Sequence, residues 1–200
     1  MAALELDLPP AGFANYKHKT VYLPAQRLLR ISRFETGEPW FGANACNRFD
    51  APDMPPSYAA CYFALSLDVA LAETVLHDAI PCDGLFHIAA VELRQRWLFQ
   101  FEGENLRLAD LTGAALKRMG AHAGLGGSAD YAVTRQWALG VFQNPAEYDG
   151  LLYMSRHVNT GKAVVLFSRA QSKIRVQNMQ ALFMAPGLAA SARRLGLRGA

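Results

Sequence analysis

"CYFALSLDVALAETVLHD" (61–78) changes its hydrophobic period at Ser66. The longer stretch "SYAACYFALS" (57–66) alternates, with Tyr58, Ala60, Tyr62 and Ala64 on one face of a strand. Ser66 then suits a helix N-cap and Asp68 the first helical turn, and the helix is expected to end near Ala79, before Pro81. Glu73 stands in that apolar helix. One turn away lie Val69, Ala70, Leu76 and His77, because residues three and four apart share a face. A carboxylate there has to be solvated, protonated or partnered, since burying it unpaired is costly.

Outward from this junction the elements mix. "LLRIS" (28–32) is a strand candidate, and residues 33–57 form a long loop broken by Gly and Pro. A loop of that length in a compact domain favours a ligand-covering role. "LFHIAAVEL" (85–93), "RWLFQFEG" (96–103), "LLYMS" (151–155), "AVVLFS" (163–168) and "KIRVQ" (173–177) read as strands. "DLTGAALKRMG" reads as a short helix closed by Gly120, and 128–144 as a longer one capped by Ser128. Trp137 and Tyr131 are placed in the core of that helix. Strands and helices intersperse without regular alternation, which favours an α+β fold with mixed β-sheets flanked by helices. The division expected is an N-terminal extension over 1–25, loosely attached through about residue 20, one domain over 26–182, and a C-terminal tail or short helix over 183–200.

Two hundred residues suffice for one substantial core. With 52% hydrophobic and 18% charged residues the composition is that of an ordinary globular chain. A net charge of +3, with no basic block interleaved with aromatics, gives no reason to expect direct nucleic-acid binding. No apolar run approaches the ~20 residues of a membrane span, and the N-terminus does not read as a secretory signal, so a cytoplasmic location is expected. Cys46, Cys61 and Cys82 are odd in number and widely spaced, as for reduced thiols. Glu73 and His77 share a helical face, but two ligands do not make a metal site, and none is expected.

The segments "LLRIS", "NRFD", "CYFALSLDVALAETVLHD" and "GLLYMSRHV", in that order over about residues 26–170, resemble the RES domain family of bacterial toxins. The resemblance places that family's arginine at Arg30, its glutamate at Glu73 and its serine at Ser155, after Tyr153. A second arginine falls on Arg48 and a tyrosine on Tyr62. Two departures stand out: Ala45, Cys46 and Asn47 replace a glycine-rich pattern before Arg48, and Phe49 replaces a tryptophan.

The resemblance implies a single domain with a fold like that of ADP-ribosyltransferases. It also implies destruction of NAD, with nicotinamide released by hydrolysis or by phosphate attack. NAD would then be a substrate and phosphate a co-substrate, with no resident cofactor. The partner implied is an Xre-like helix-turn-helix antitoxin, and a homo-oligomer is compatible with the sequence. Transfer of ADP-ribose to a protein, or an inactive binding module, are the alternatives.

The residue chemistry agrees with these implications. Cleaving the nicotinamide–ribose bond passes through an oxocarbenium-like centre, which a carboxylate such as Glu73 stabilises. A pyrophosphate calls for paired donors of the Arg type, from Arg30 and Arg48. Tyr62 offers a ring for nicotinamide and a hydroxyl, and Ser155 a hydroxyl to the carboxylate or the substrate amide. Arg33 competes with Arg30, since the two would face opposite sides of a strand, and Tyr58 competes with Tyr62 for the stacking role. Taken singly, each of these residues has an ordinary reading as core, strand-end or surface residue, and only the joint pattern favours an enzyme.

Overall fold

The computed structural model describes residues 5–128 and 130–199. Its strands are β1 (Thr20–Pro24), β2 (Leu29–Ser32), β3 (Ala60–Ala64), β4 (Phe86–Ile88), β5 (Trp97–Gly103), β6 (Asn105–Asp110), β7 (Gly150–Met154), β8 (Lys162–Phe167), β9 (Ile174–Ala181) and β10 (Leu197–Gly199). Its helices are α1 (Leu67–Thr74), α2 (Ala90–Arg94), α3 (Gly113–Arg118), α4 (Gly124–Gly127), α5 (Tyr131–Phe142) and α6 (Leu188–Leu195). Eight strands form one mixed sheet in the order β1-β6-β7-β8-β3-β2-β5-β9. Only β6 and β7 pair in parallel there, and the crossover that parallel pairing requires carries α3, α4 and α5. This is the α+β class expected from the sequence.

Period-2 alternation sends the two faces of the sheet into separate cores. On β8, Ala163, Val165 and Phe167 pack toward the helices with Val69, Leu71 and Trp137. Val164 and Leu166 point the other way, where the curled sheet closes on Leu23, Phe99 and Phe101. The helical face is the one that matters for the site, because Tyr62, Tyr153 and α1 belong to it.

The Ser66 junction forms as expected. The Ser66 side chain accepts from Val69 N at 3.3 Å, which satisfies one of the free donors of the first turn. The helix ends at Thr74, one turn earlier than Ala79, and Thr74 Oγ1 donates back to Ala70 O at 2.5 Å. Arg194 grips Asp68 with two bonds of 2.7 and 2.8 Å, so α6 braces α1 from outside.

Several segments differ from the sequence expectation. Residues 85–93 are a three-residue strand followed by α2, whose Glu92 pairs with Arg96 at 2.9 Å one turn on. The cap of α5 is Asp130, which accepts from Ala132 N at 2.8 Å, and not Ser128. The described part of the N-terminal stretch is not loosely attached: Phe13 is buried against Trp137 and β1 pairs with β6. The apolar side chains Phe13 and Leu23 supply the burial that holds it. Residues 1–4 of that expected extension and residue 200 of the tail lie outside the described residues. Among the described residues no helix is long and apolar enough to cross a membrane.

Candidate functional site

A cavity of about 280 Å³ opens between α1, the 33–59 loop and the sheet. Glu73 lines it from the last turn of α1. Its Oε1 accepts from Ser155 Oγ at 2.5 Å, and the same hydroxyl oxygen accepts from His157 N at 3.2 Å and Val158 N at 3.1 Å. Ser155 is buried just past the end of β7. It therefore fixes the carboxylate and the chain behind it together. The side chain of Glu73 stays about a quarter exposed and lines the cavity, which answers how an apolar helix tolerates it: Oε1 is bonded to Ser155 and the carboxylate keeps access to solvent.

Arg30 reaches the cavity from β2, aimed by Glu38. Its Nε donates to Glu38 Oε2 at 2.7 Å, and its Nη1 to Tyr62 O at 2.9 Å. The Glu38 side chain is only 3% exposed and also accepts from Trp40 N at 2.9 Å. A guanidinium has five donors, so three remain for a ligand.

Arg48 comes from the long loop, which is pinned at several points. Arg135 donates to Asn47 O at 3.0 Å and also to Ala45 O, and Thr134 Oγ1 donates to Arg48 O at 2.7 Å. The Arg48 guanidinium donates to Ser128 O and lies 4.8 Å from the centre of the Tyr131 ring. Burial draws its pKa below the ordinary guanidinium value while Tyr131 works against the shift, and the group stays cationic. Asn47 stands where a glycine is commoner in the resembled pattern, and it lines the cavity.

Tyr62 and Tyr153 supply the aromatic walls. The Tyr62 hydroxyl is already spent, because it donates to Asp50 Oδ1 at 2.8 Å and accepts from Phe49 N at 2.9 Å. Burial and the Asp50 charge push its pKa well above the ordinary phenol. Tyr62 thus anchors the Arg48 loop with its hydroxyl and offers only its ring to the cavity. Burial likewise raises the Tyr153 phenol, with the charge of Glu73 adding to it.

Two sequence candidates lie elsewhere. Tyr58 is buried outside the cavity, its ring 4.7 Å from those of Phe142 and Phe167 and its hydroxyl on Phe49 O. It precedes β3, so the alternation that put it beside Tyr62 does not extend to it. Arg33 lies just past the end of β2, an odd number of residues from Arg30, and pairs with exposed Glu92 at 3.3 Å. Arg30 is the one that faces the cavity.

Three residues were missed as site residues. Tyr131, expected in the core of its helix, lines the cavity beneath Arg48, while Trp137 is core. Arg156 lines it beside Ser155 and donates from Nε to His157 Nε2 at 3.0 Å. His157 Nε2 sits 4.0 Å from Glu73 Oε2, joining the Glu73–His77 pair that the sequence did show. Adjacency to Ser155 was the available signal for Arg156 and His157. Burial lowers the His157 pKa, partly opposed by Glu73, so the ring is neutral near pH 7.

One carboxylate thus faces three guanidinium groups without forming an ion pair with any of them among the described residues. A substrate carrying two phosphates and an incipient cation matches that distribution. The RES domain family matches residues 25–185 of the chain. No curated protein matches it in sequence. Among solved structures, a chain of the M. tuberculosis MbcT–MbcA toxin–antitoxin complex superposes with a TM-score of 0.60. That superposition spans 94% of this chain and 98% of the other at 14% identity, a likeness of fold.

Proposed function

The chain belongs to the RES domain family, and from that premise we propose that it is a toxin that cleaves NAD at the nicotinamide–ribose bond. The observation that carries this reading is Glu73, held by Ser155 and turned into a cavity that also receives Arg30, Arg48 and Arg156. The arginines take the pyrophosphate, for which paired guanidinium bonds serve better than ammonium contacts. Tyr62 and Tyr153 flank the nicotinamide with their rings.

As the C1′–N bond breaks, its electron pair leaves with neutral nicotinamide and positive charge develops on the ribose. Glu73 stabilises that charge by Coulomb attraction and holds a ribose hydroxyl. Water, losing a proton to solvent, or phosphate then bonds to C1′, giving ADP-ribose or its 1-phosphate. NAD is consumed as a substrate, and no resident cofactor enters the reaction. By likeness to the toxin–antitoxin neighbour and to the resembled family, a neutralising helix-turn-helix antitoxin of Xre type is the proposed partner, in the cytoplasm.

The test is nicotinamide release from NAD by the purified chain, with and without phosphate. Release in either condition supports the reading. Labelling of a protein by tagged NAD in place of free product moves the assignment to ADP-ribosyl transfer. No turnover with any acceptor leaves a binding module and overturns the proposal.

A further inference from the structure

His77, in the turn that follows α1 four residues beyond Glu73, and His157, two residues beyond Ser155, converge on the Glu73 carboxylate. One ligand atom from each of the three lies within 4.8 Å of the others. The two imidazole rings are 4.9 Å apart, centre to centre. Ser155 occupies Oε1 of Glu73 and leaves Oε2, the oxygen nearer His157, free to bond. Two imidazoles and one carboxylate make a known zinc-binding set, with a fourth position left open for water.

From this convergence we propose that Glu73, His77 and His157 bind a single divalent ion of the Zn²⁺ class. Ligands at ~2.0–2.1 Å from a tetrahedral ion lie about 3.4 Å apart, so the three atoms need to close by roughly an ångström. The side chains are 25%, 35% and 21% exposed and have room to do so. His157 gives up the bond from Arg156 Nε to make its nitrogen available. Ser155 remains behind the carboxylate as the hydrogen-bonded support that ligating groups generally have. The ion takes the free oxygen of the residue assigned above to the ribose cation, so its binding inhibits. That last consequence rests on the proposed NAD cleavage; the binding itself does not.

The experiment is a calorimetric titration of Zn²⁺ into the chelator-stripped full chain without NAD, repeated with Co²⁺ for its visible spectrum. The proteins are wild type, His77→Ala, His157→Ala and the Cys46→Ser/Cys82→Ser double variant, each with a thermal melt to check folding. One ion per chain is expected in wild type and in the cysteine variant, with at least about tenfold weaker binding in each histidine variant. No heat and no Co²⁺ band in wild type overturns the site. So does equal affinity in the histidine variants, or loss of binding only with the cysteines. Nicotinamide release is then measured with Zn²⁺ and after chelator: inhibition reversed by chelator is expected, and turnover unaffected by a bound ion overturns the inhibitory role. A chain that releases no nicotinamide even when metal-free refutes the NAD reading alone, and the titration still decides the metal site.

Discussion

Ser155 Oγ donates to Glu73 Oε1 at 2.5 Å while accepting the backbone N–H groups of His157 and Val158. One hydroxyl therefore orients the carboxylate and closes the turn after β7. Ser155→Ala removes both functions. Stranding the part-buried acceptor and donors costs at most about 1–3 kcal/mol. The expected outcome is a lower melting temperature and a fall in kcat for nicotinamide release larger than any change in KM. A variant as stable and as active as wild type removes Ser155 from this role.

Arg48→Lys keeps the charge but loses the planar fork that spans Ser128 O and the Tyr131 face. NAD affinity is expected to fall about tenfold or more, at about 1.4 kcal/mol per factor of ten, with the melt little changed. Calorimetric NAD binding to the Glu73→Gln background, where turnover is suppressed, reads it directly. Unaltered affinity places the pyrophosphate elsewhere.

Glu38→Gln tests the aim of Arg30. The amide still accepts from Arg30 Nε and Trp40 N, but without charge assistance, so the guanidinium gains freedom. KM for NAD is expected to rise several-fold while kcat changes less. Glu38 was not legible as a site residue, because nothing in "FETGEPW" (34–40) shows that its carboxylate is buried against β2.

That contrast runs through the molecule. The Ser66 junction was readable from a cap and a change of period, and Glu73 from its place in an apolar helix, whereas Arg30, Arg48 and Ser155 were singled out through the family resemblance. The direction of the long loop was not readable, since it depends on Arg135, Thr134 and the Tyr62 hydroxyl, which are distant in sequence. Tyr58 failed for the opposite reason. Alternation was extended past the end of β3, where the backbone no longer enforces it. Strands β1, β6 and β10 passed unread; β1 is an edge strand and β10 only three residues long, where pairing decides strand formation more than pattern does.

His18 makes stability pH-dependent. It is buried among Phe13, Tyr16 and Tyr148, its Nδ1 3.3 Å from Met119 Sδ and its Nε2 without a partner among the described residues. Burial pushes its pKa from 6.5 down to about 4. Above pH 6.5 the ring is neutral in both folded and unfolded chains, and its contribution is complete. From pH 6.5 to 4 the unfolded chain takes up a proton that the folded chain refuses, so stability falls, by at most about 1.4 kcal/mol per pH unit. His18→Phe keeps the aromatic packing and flattens that part of the curve. Denaturant unfolding of both proteins from pH 7 to 4 measures the difference, from which His157 cancels. Parallel curves assign the slope to other groups.

Glu73→Gln separates a catalytic carboxylate from a solvated helix residue. The amide keeps the size of the side chain and still accepts from Ser155 Oγ through its carbonyl oxygen, so α1 and the turn after β7 stay in place. What disappears is the negative charge facing the position where the ribose becomes cationic. Charge stabilisation of this kind is worth ~10²–10³ in rate, and a loss of that order in nicotinamide release is expected, with NAD affinity retained through the arginines. The melting temperature is expected to hold or rise, because a partly desolvated carboxylate costs stability that its amide does not. Nicotinamide release beside a thermal melt tests both halves. Full activity in the variant assigns the chemistry to another group and removes the proposed mechanism. Lost activity with a lowered melt points instead to a structural role for Glu73.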